Sequence, residues 1–376
     1  MTRLFCSLFF VLLFAGSVSS QEKKSTPIDI VFIVDISSST TGLLSSVRNN
    51  FWEINNDISR LKPEPDYRIG LMLLGRPSFK EENAYIRIAS DLTSDIDFVA
   101  NEMFIIKDNA TKGKVYFGNA IKETVEQMSW SKDDNAVKLI FLVGNGPLSN
   151  GYNYQKAAEA AVKKGIKIYS LYFPNITSPR DQAEWQDLGK VGNGEYFSIS
   201  LTKGNNIVFE KTYNNDLLVE ANSAINSTYV YYGEQGKDRF EMQDRLDILT
   251  GSVSDWETEA RSFLKATPLY QGKNAAWDLV DLSKKQALNY SKIDRKFLEP
   301  KLQGMSDDAL KTYIDDKIND RQEYITIIKM LSQKREEFLK RKKEKLELFR
   351  YNNTFLGIVK KAIVQQAVSK GYTVDF

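Results

Sequence analysis

Short apolar runs alternate with helical patterns between residues 28 and 226, and this alternation limits the folds open to the chain more than any other feature. Residues 28–34 form one such run and residues 137–143 another. An apolar run of this length is typical of a strand buried on both faces, as in a parallel sheet covered by helices. The alternation therefore predicts an α/β fold with a doubly wound, mostly parallel sheet of six strands.

One edge of the predicted sheet differs from the rest. Residues 67–74 and 84–89 have strand patterns, and a polar loop of nine residues, 75–83, joins them. So short a connection leaves no room for a crossover helix, so the two strands form a hairpin. The sheet is thus expected to carry one antiparallel edge strand.

The second half of the chain, residues 233–376, has little strand pattern and long charged stretches with helical periodicity. Ser306, followed by two aspartates, is a good helix start. This half is predicted to be an all-α, coiled-coil-like region. Its longest helix carries a narrow stripe, which consists of Leu310, Ile314, Ile318, Arg321, Ile325, Ile328 and Ser332.

Residues 334–361 form the basic end of this region, with Lys340 to Lys343 as the densest cluster. Glutamates are interleaved at helical spacing, which favours a solvated helix with internal ion pairs. Lysine plus arginine (51) nearly balance aspartate plus glutamate (49) over the whole chain. We therefore expect no nucleic-acid partner.

Two absences exclude whole classes of chemistry. The chain has no histidine, and its single cysteine is Cys6. A Ser-His-Asp triad, a cysteine nucleophile and a Cys/His zinc site are therefore excluded from the chain that follows this cysteine. No general base is evident near the candidate motif at residues 35–39, so the sequence predicts a protein that is not an enzyme.

The first twenty residues have the pattern of a signal peptide. Arg3 precedes an apolar stretch, residues 4–15, and small residues lead up to Ser20. We expect cleavage after Ser20 and an extracytoplasmic location, either periplasmic or secreted. An uncleaved N-terminal anchor is the alternative, although the apolar stretch is short and no later stretch approaches the roughly 20 residues of a membrane span. Stable membrane insertion is therefore not expected.

The most informative local motif is Asp35-Ile36-Ser37-Ser38-Ser39, which follows the first apolar run directly. This D-x-S-x-S pattern brings a carboxylate and two hydroxyls to the point where a buried strand ends. Such hard oxygen donors suit Mg²⁺, Mn²⁺ or Ca²⁺. The same residues are equally consistent with a plain turn and helix cap in which Asp35 accepts backbone hydrogen bonds.

Together these features resemble a von Willebrand factor A (vWA) domain over residues 27–226. The resemblance rests on the D-x-S-x-S motif, on the hairpin, on the central run ending in Gly144-Asn145-Gly146-Pro147, on residues 160–169 and on residues 192–197. The remaining chain is similar to the tails of exported bacterial proteins that carry this domain. Trp277 and Tyr270 are expected to pack that tail.

The resemblance implies a metal-ion-dependent adhesion site made by three loops. Asp35, Ser37 and Ser39 match the first loop. Val115 stands where the second loop normally has a threonine, and Asn145 stands where the third normally has an aspartate. The site thus keeps one carboxylate of two, so a divalent cation, Mg²⁺ or else Mn²⁺ or Ca²⁺, is expected to bind weakly or not at all.

Further ligands and further interpretations remain open. A replacement for the missing threonine would come from Asp108, Thr111 or Tyr116 in the same loop. Asn145 in Gly-Asn-Gly is also a good turn former without any metal.

Two functions follow. The first is an exported protein-binding module whose sheet rim captures an acidic group of a partner protein, directly or through the cation. The second is a structural or scaffolding protein that acts through its helical tail and has a vestigial metal site. The identity of the protein partner and the oligomeric state stay open.

Overall fold

The computed structural model describes residues 25–37, 42–106, 113–174, 178–199, 215–345 and 352–375. The predicted signal peptide, residues 1–20, lies outside these ranges. In the described part, no helix is both long enough and apolar enough to cross a membrane.

A six-stranded sheet forms the centre of the molecule, in the order β4-β3-β1-β5-β6-β7. The only antiparallel pair among these described strands is β3 with β4, at one edge. Both the mostly parallel sheet and its antiparallel edge strand are as predicted. The strands are β1 (Pro27–Asp35), β3 (Asp66–Leu74), β4 (Ile86–Thr93), β5 (Val137–Gly144), β6 (Ile166–Tyr172) and β7 (Tyr196–Ser198).

Side chains of β1 alternate between two apolar cores, one on each face of the sheet. Ile30 and Phe32 point into one core, and Val31 and Ile33 point into the other. The two-residue period of a strand produces this division, and it explains why β1 reads as an apolar run. Helices α1 (Leu43–Arg48), α2 (Phe51–Ser59) and α3 (Ile96–Phe104) contribute to the first core, and α4 (Phe117–Gln127), α5 (Tyr154–Lys163) and α6 (Pro179–Val191) to the second.

After β1, apolar residues recur at three- and four-residue intervals and predict one helix face that ends before Lys62; they are Val47, Phe51, Ile54, Ile58 and Leu61. The structure instead contains two helices, α1 and α2, and places Leu61 in a short strand, β2 (Leu61–Lys62). The break falls at Asn49 and Asn50. The side-chain amide of Asn50 donates to the carbonyl oxygen of Ser46 at 2.7 Å. Asparagine often competes with helical hydrogen bonds in this way.

The helical region follows β7 and is built around one long helix, α12. Its predicted stripe faces inward: Leu310, Ile314, Ile325 and Ile328 are buried against the rest of the chain. Ser306 lies just before α12, and its Oγ accepts from the amide of Ala309 at 3.2 Å, as the sequence predicts for a helix start. The helices are α7 (Asn215–Asn226), α8 (Gly236–Val253), α9 (Asp255–Lys265), α10 (Leu279–Ser283), α11 (Pro300–Gln303) and α12 (Asp307–Lys345).

The last helix, α13 (Phe355–Ser369), returns to the sheet. The ring of Phe355 lies 6.4 Å from that of Phe32 and 6.3 Å from that of Phe173, measured between centroids. Beyond it, β8 (Thr373–Val374) pairs antiparallel with β2. A helix from the predicted tail therefore completes the first core of the sheet. The division of the chain into domains 27–226 and 233–376 stays a prediction.

Buried ion pairs join the helical region to the sheet domain. The Nη1 atom of Arg261 in α9 lies 2.7 Å from Oδ1 of Asp97 in α3, and its guanidinium lies 4.5 Å from the ring of Trp52 in α2. Tyr270, predicted to be an apolar anchor, is buried and also donates its hydroxyl to Asp97 at 2.6 Å. Charged groups this deeply buried are stable only when paired, so they fix how the two regions meet.

Candidate binding site at the carboxyl edge of the sheet

Asp35 is the last residue of β1 and is completely buried. Its Oδ1 atom accepts a hydrogen bond from the backbone amide of Ser37 at 2.9 Å, and the amide of Ile36 donates to the carbonyl oxygen of Leu74 at 3.0 Å. An aspartate bonded to the amide two residues later forms an Asx turn. This turn holds the D-x-S segment at the carboxyl edge, and both interpretations of the motif are compatible with it.

Glycines allow two other segments to pack against the Asp35 turn and a third to pack beside them. A Cβ atom on Gly75, which follows β3, would lie 2.9 Å from Oδ1 of Asp35 and 2.9 Å from Cβ of Ser37. A Cβ on Gly144, at the end of β5, would lie 3.1 Å from Cβ of Asp35. Gly113 packs on Gly75, where its Cβ would lie 1.9 Å from the carbonyl oxygen. Two segments therefore pack directly against the Asp35 turn, and a third packs against one of them.

Asn145 directly follows Gly144, the last residue of β5, and is half-buried. The strand register places Val34 opposite Val143, so Asp35 and Asn145 emerge at the same edge of neighbouring strands. Beyond Asn145 the loop is fixed by α6, because the indole nitrogen of Trp185 donates to the carbonyl oxygen of Gly146 at 2.8 Å. Asn145 is thus held near the site predicted for it.

Glu184 of α6 fixes the next part of the same loop. Its Oε2 accepts from the amides of Leu148 and Ser149 at 2.7 and 3.0 Å. Glu184 lies 39 residues from Asn145 in the sequence, and nothing in the local pattern indicates this supporting role.

The segment that leads into α4 supplies Val115, which packs against the second core. A valine side chain carries no oxygen, so this position contributes no ligand. The ring of Tyr116 lies beside that of Tyr85 in the hairpin, with centroids 6.1 Å apart and planes tilted by 38°. The other candidate ligands of this loop, Asp108 and Thr111, lie outside the described residues, as does Ser39 of the first loop.

The hairpin loop beside the site has an unusual backbone. Lys80, Ala84 and Tyr85 have positive φ angles of 65°, 51° and 56°. Such conformations cost about 1–3 kcal/mol each in non-glycine residues and persist only when their surroundings impose them. Here the amide of Gly75 donates to the carbonyl oxygen of Tyr85 at 3.0 Å and closes the loop. A polar loop is all that the sequence pattern indicates at this position.

Among the residues that the structure describes, the candidate donors at this edge are one carboxylate, one hydroxyl and one amide, from Asp35, Ser37 and Asn145. Within the described residues, no group of three or more His, Cys, Asp or Glu side chains could hold a metal ion. Hard oxygen donors fit Mg²⁺, Mn²⁺ or Ca²⁺, but a single carboxylate gives little charge. The residues therefore fit a weakly held divalent cation.

A mostly parallel six-stranded sheet with an antiparallel edge strand, and with an aspartate turn at its carboxyl edge, defines a class of doubly wound α/β domains. The model of the von Willebrand factor type A domain family matches residues 29–217, half of the chain. The protein therefore belongs to the von Willebrand factor type A domain family, as the resemblance of its motifs implied.

Among solved structures, the chain is similar to proximal thread matrix protein 1 from the mussel byssus, in a structure with a zinc-occupied MIDAS (metal-ion-dependent adhesion site) motif. The identity is 12% and the TM-score 0.37, and the match covers 47% of this chain and 44% of that one. It is also similar to the pilus adhesin SpaC from Lactobacillus rhamnosus GG, at 12% identity and a TM-score of 0.37, over 47% of this chain and 28% of the adhesin. The chain thus spans less than half the length of either protein. The curated proteins contain no match to it.

Proposed function

We propose that this protein is an exported protein-binding module that uses the carboxyl rim of its sheet to capture an acidic group of a partner protein. Asp35, Ser37, Ser39 and Asn145 would hold a divalent cation there, and the partner's carboxylate would complete its coordination. The observation that supports this proposal most directly is the burial of Asp35 where segments after three strands meet.

The chemistry of the rim sets the expected strength of binding. A buried carboxylate needs hydrogen-bond donors or a positive charge to remain ionised. The amide of Ser37 supplies one donor, and a cation would supply charge. Because Asn145 is neutral, the cation would keep more net positive charge than in a site with two carboxylates. Such a site binds the metal weakly and has more to gain from an acidic partner.

Calorimetry and thermal shift with Mg²⁺, Mn²⁺ and Ca²⁺ test the cation. The wild type should give a weak heat and a small stabilisation, and Asp35→Ala should give neither. Asp66→Ala is the matched control, since Asp66 is an exposed aspartate at the opposite end of β3. Asn145→Asp should tighten binding, because it restores a second carboxylate. If neither the wild type nor Asn145→Asp gives a heat of binding or a thermal shift, the metal site is ruled out.

The alternative, a scaffold that acts through the helical region, was suggested by the apolar stripe of α12. In the structure Ile325 and Ile328 of that stripe pack with Leu218 and Ile225 of α7 in the same chain. The stripe is therefore occupied internally, and the rim is the better candidate for contact with a partner.

We also propose that the protein acts outside the cytoplasm. The support is the charged, apolar and small-residue pattern of residues 1–20. Mass spectrometry of the protein from its native source should find a chain that begins at Gln21, whereas an intact N-terminus would contradict cleavage. The absence of histidine and cysteine from residues 21–376 supports binding without catalysis.

A further inference from the structure

Glu257 is a buried carboxyl group at the junction of three helices. It lies in the first turn of α9, is 2% exposed, and neither of its carboxyl oxygens has a hydrogen-bond partner in the described part of the chain. Helices α2 and α12 both pack against α9 here. A carboxyl group in this position is expensive to ionise, since burial removes its hydration and no hydrogen bond to a described residue replaces it.

One arginine crosses from α12 into this junction. The Nε atom of Arg335 lies 2.8 Å from Oε2 of Glu259, and its Nη1 lies 3.4 Å from Oε2 of Glu53 in α2. The guanidinium also lies 3.7 Å from the centre of the Trp256 ring. Arg335 is therefore already engaged by two carboxylates, and an ionised Glu257 would be a third beside the same guanidinium.

Burial raises the pKa of Glu257 well above its usual 4.5, and the nearby charge of Glu53 raises it further, while Arg335 acts in the opposite direction. Two other carboxylates on the neighbouring helices have cationic partners of their own. Asp247 of α8 bonds to Arg261 and Lys265 of α9, and Lys360 of α13 bonds to Asp57 of α2.

We propose that Glu257 is a pH-sensitive contact: its neutral carboxyl group lets the C-terminal half of α12 pack on α2 and α9, and its ionisation loosens that packing. The position gives the contact leverage, because α12 leads into α13, which packs in the core of the sheet domain. The packing of the helical region on the binding domain would then depend on the pH outside the cytoplasm.

The direction of the effect follows from linkage. In the separated state Glu257 is hydrated and has an ordinary pKa, so that state releases the proton more readily. The contribution of Glu257 to the packing of α12 is therefore greatest below about pH 4.5 and falls as the pH rises towards the raised pKa of the packed state. Within that interval the equilibrium shifts towards separation by up to about tenfold for each pH unit.

Distance measurement between two spin labels tests the proposal in the full chain. Ser59 at the end of α2 and Gln333 in α12 both line the cavity of about 350 Å³ between these helices. Labelled cysteines at these positions, in a Cys6→Ser background, should give a narrow, short distance at low pH. The distribution should broaden as the pH rises. Glu257→Gln, which keeps the neutral shape, should hold the short distance at every pH.

Asp255→Asn is the matched control, because Asp255 is an exposed carboxylate in the same helical turn. In Asp255→Asn the distance distribution should broaden with rising pH as it does in the wild type. A wild-type distance that does not change with pH, or a Glu257→Gln variant that broadens like the wild type, would overturn the proposal. A carbon-13 titration of the Glu257 carboxyl in the wild type decides the matter independently of any variant; a pKa near 4.5 would also overturn it.

Discussion

Replacing Phe355 with alanine is expected to destabilise the sheet domain, although this residue lies far beyond the segment that resembles a vWA domain. Phe355 is 3% exposed at the start of α13, and its ring lies against Phe32 of the central strand and Phe173 after β6. Removal of a buried phenylalanine ring loses its transfer free energy and leaves a cavity. The free energy of unfolding should fall by about 3–5 kcal/mol.

Two further residues of α13 provide a graded series. Ile363 is 2% exposed in the same core, and loss of one methyl group in Ile363→Val should cost about 0.5–1.5 kcal/mol. Val368 is 50% exposed, so Val368→Ala should change stability by less than about 0.5 kcal/mol. The order of the three effects follows from how much buried apolar volume each substitution removes.

Urea denaturation followed by tryptophan fluorescence measures the series, since Trp52 and Trp185 report from the two faces of the sheet. The slope of each curve should be unchanged while the midpoint falls in the predicted order. If Phe355→Ala costs no more than Val368→Ala, α13 does not complete the core of the sheet domain.

Two other changes test the buried charges of the helical region by the same measurement. Arg321→Met should lower the free energy of unfolding by about 3–5 kcal/mol, because it leaves the buried Asp278 and Asp281 without their shared guanidinium. A change near zero would show that these carboxylates are neutral or solvated. Burial opposes ionisation of Asp247, but the charges of Lys265 and Arg261 outweigh this effect and hold the pKa of Asp247 below 3.8. The ionised Asp247 should therefore stabilise the fold at neutral pH, and this effect should be lost as the pH falls below about 4. The wild type and Asp247→Asn should then converge in stability on acidification. A stability difference that stays constant with pH would contradict this assignment.

Much of the sheet could be predicted because the relevant signals are local. Residues 28–34 and 137–143 are apolar on both faces of a strand, and each is followed by a helix whose apolar residues recur at helical spacing. The short polar loop fixed the hairpin. The break between α1 and α2 was missed, since it depends on one side chain, Asn50, which bonds to the backbone where the helical pattern continues.

The candidate site was predictable only in part. Asp35 and Ser37 could be named from the end of the first strand and the spacing of the motif, and Asn145 from the resemblance to the vWA domain. The closeness of Gly75 and Gly113 to that site could not, since each is an ordinary loop glycine until the chain folds. The role of Ser39 stays a prediction.

The sequence by itself determined the class of this protein: an α/β sheet domain with an aspartate at the end of its first strand, followed by a long helical region. These features depend on periodicity and on residue types close together in the chain. Only the tertiary structure decided that the last helix belongs to the core of the sheet, and that Glu257 meets Glu53 and Arg335. Such contacts join residues as far apart in the chain as Phe32 and Phe355, or Glu53 and Arg335. They depend on which apolar faces pack together and which charged groups pair in the folded chain, and the residue pattern along the sequence does not specify that.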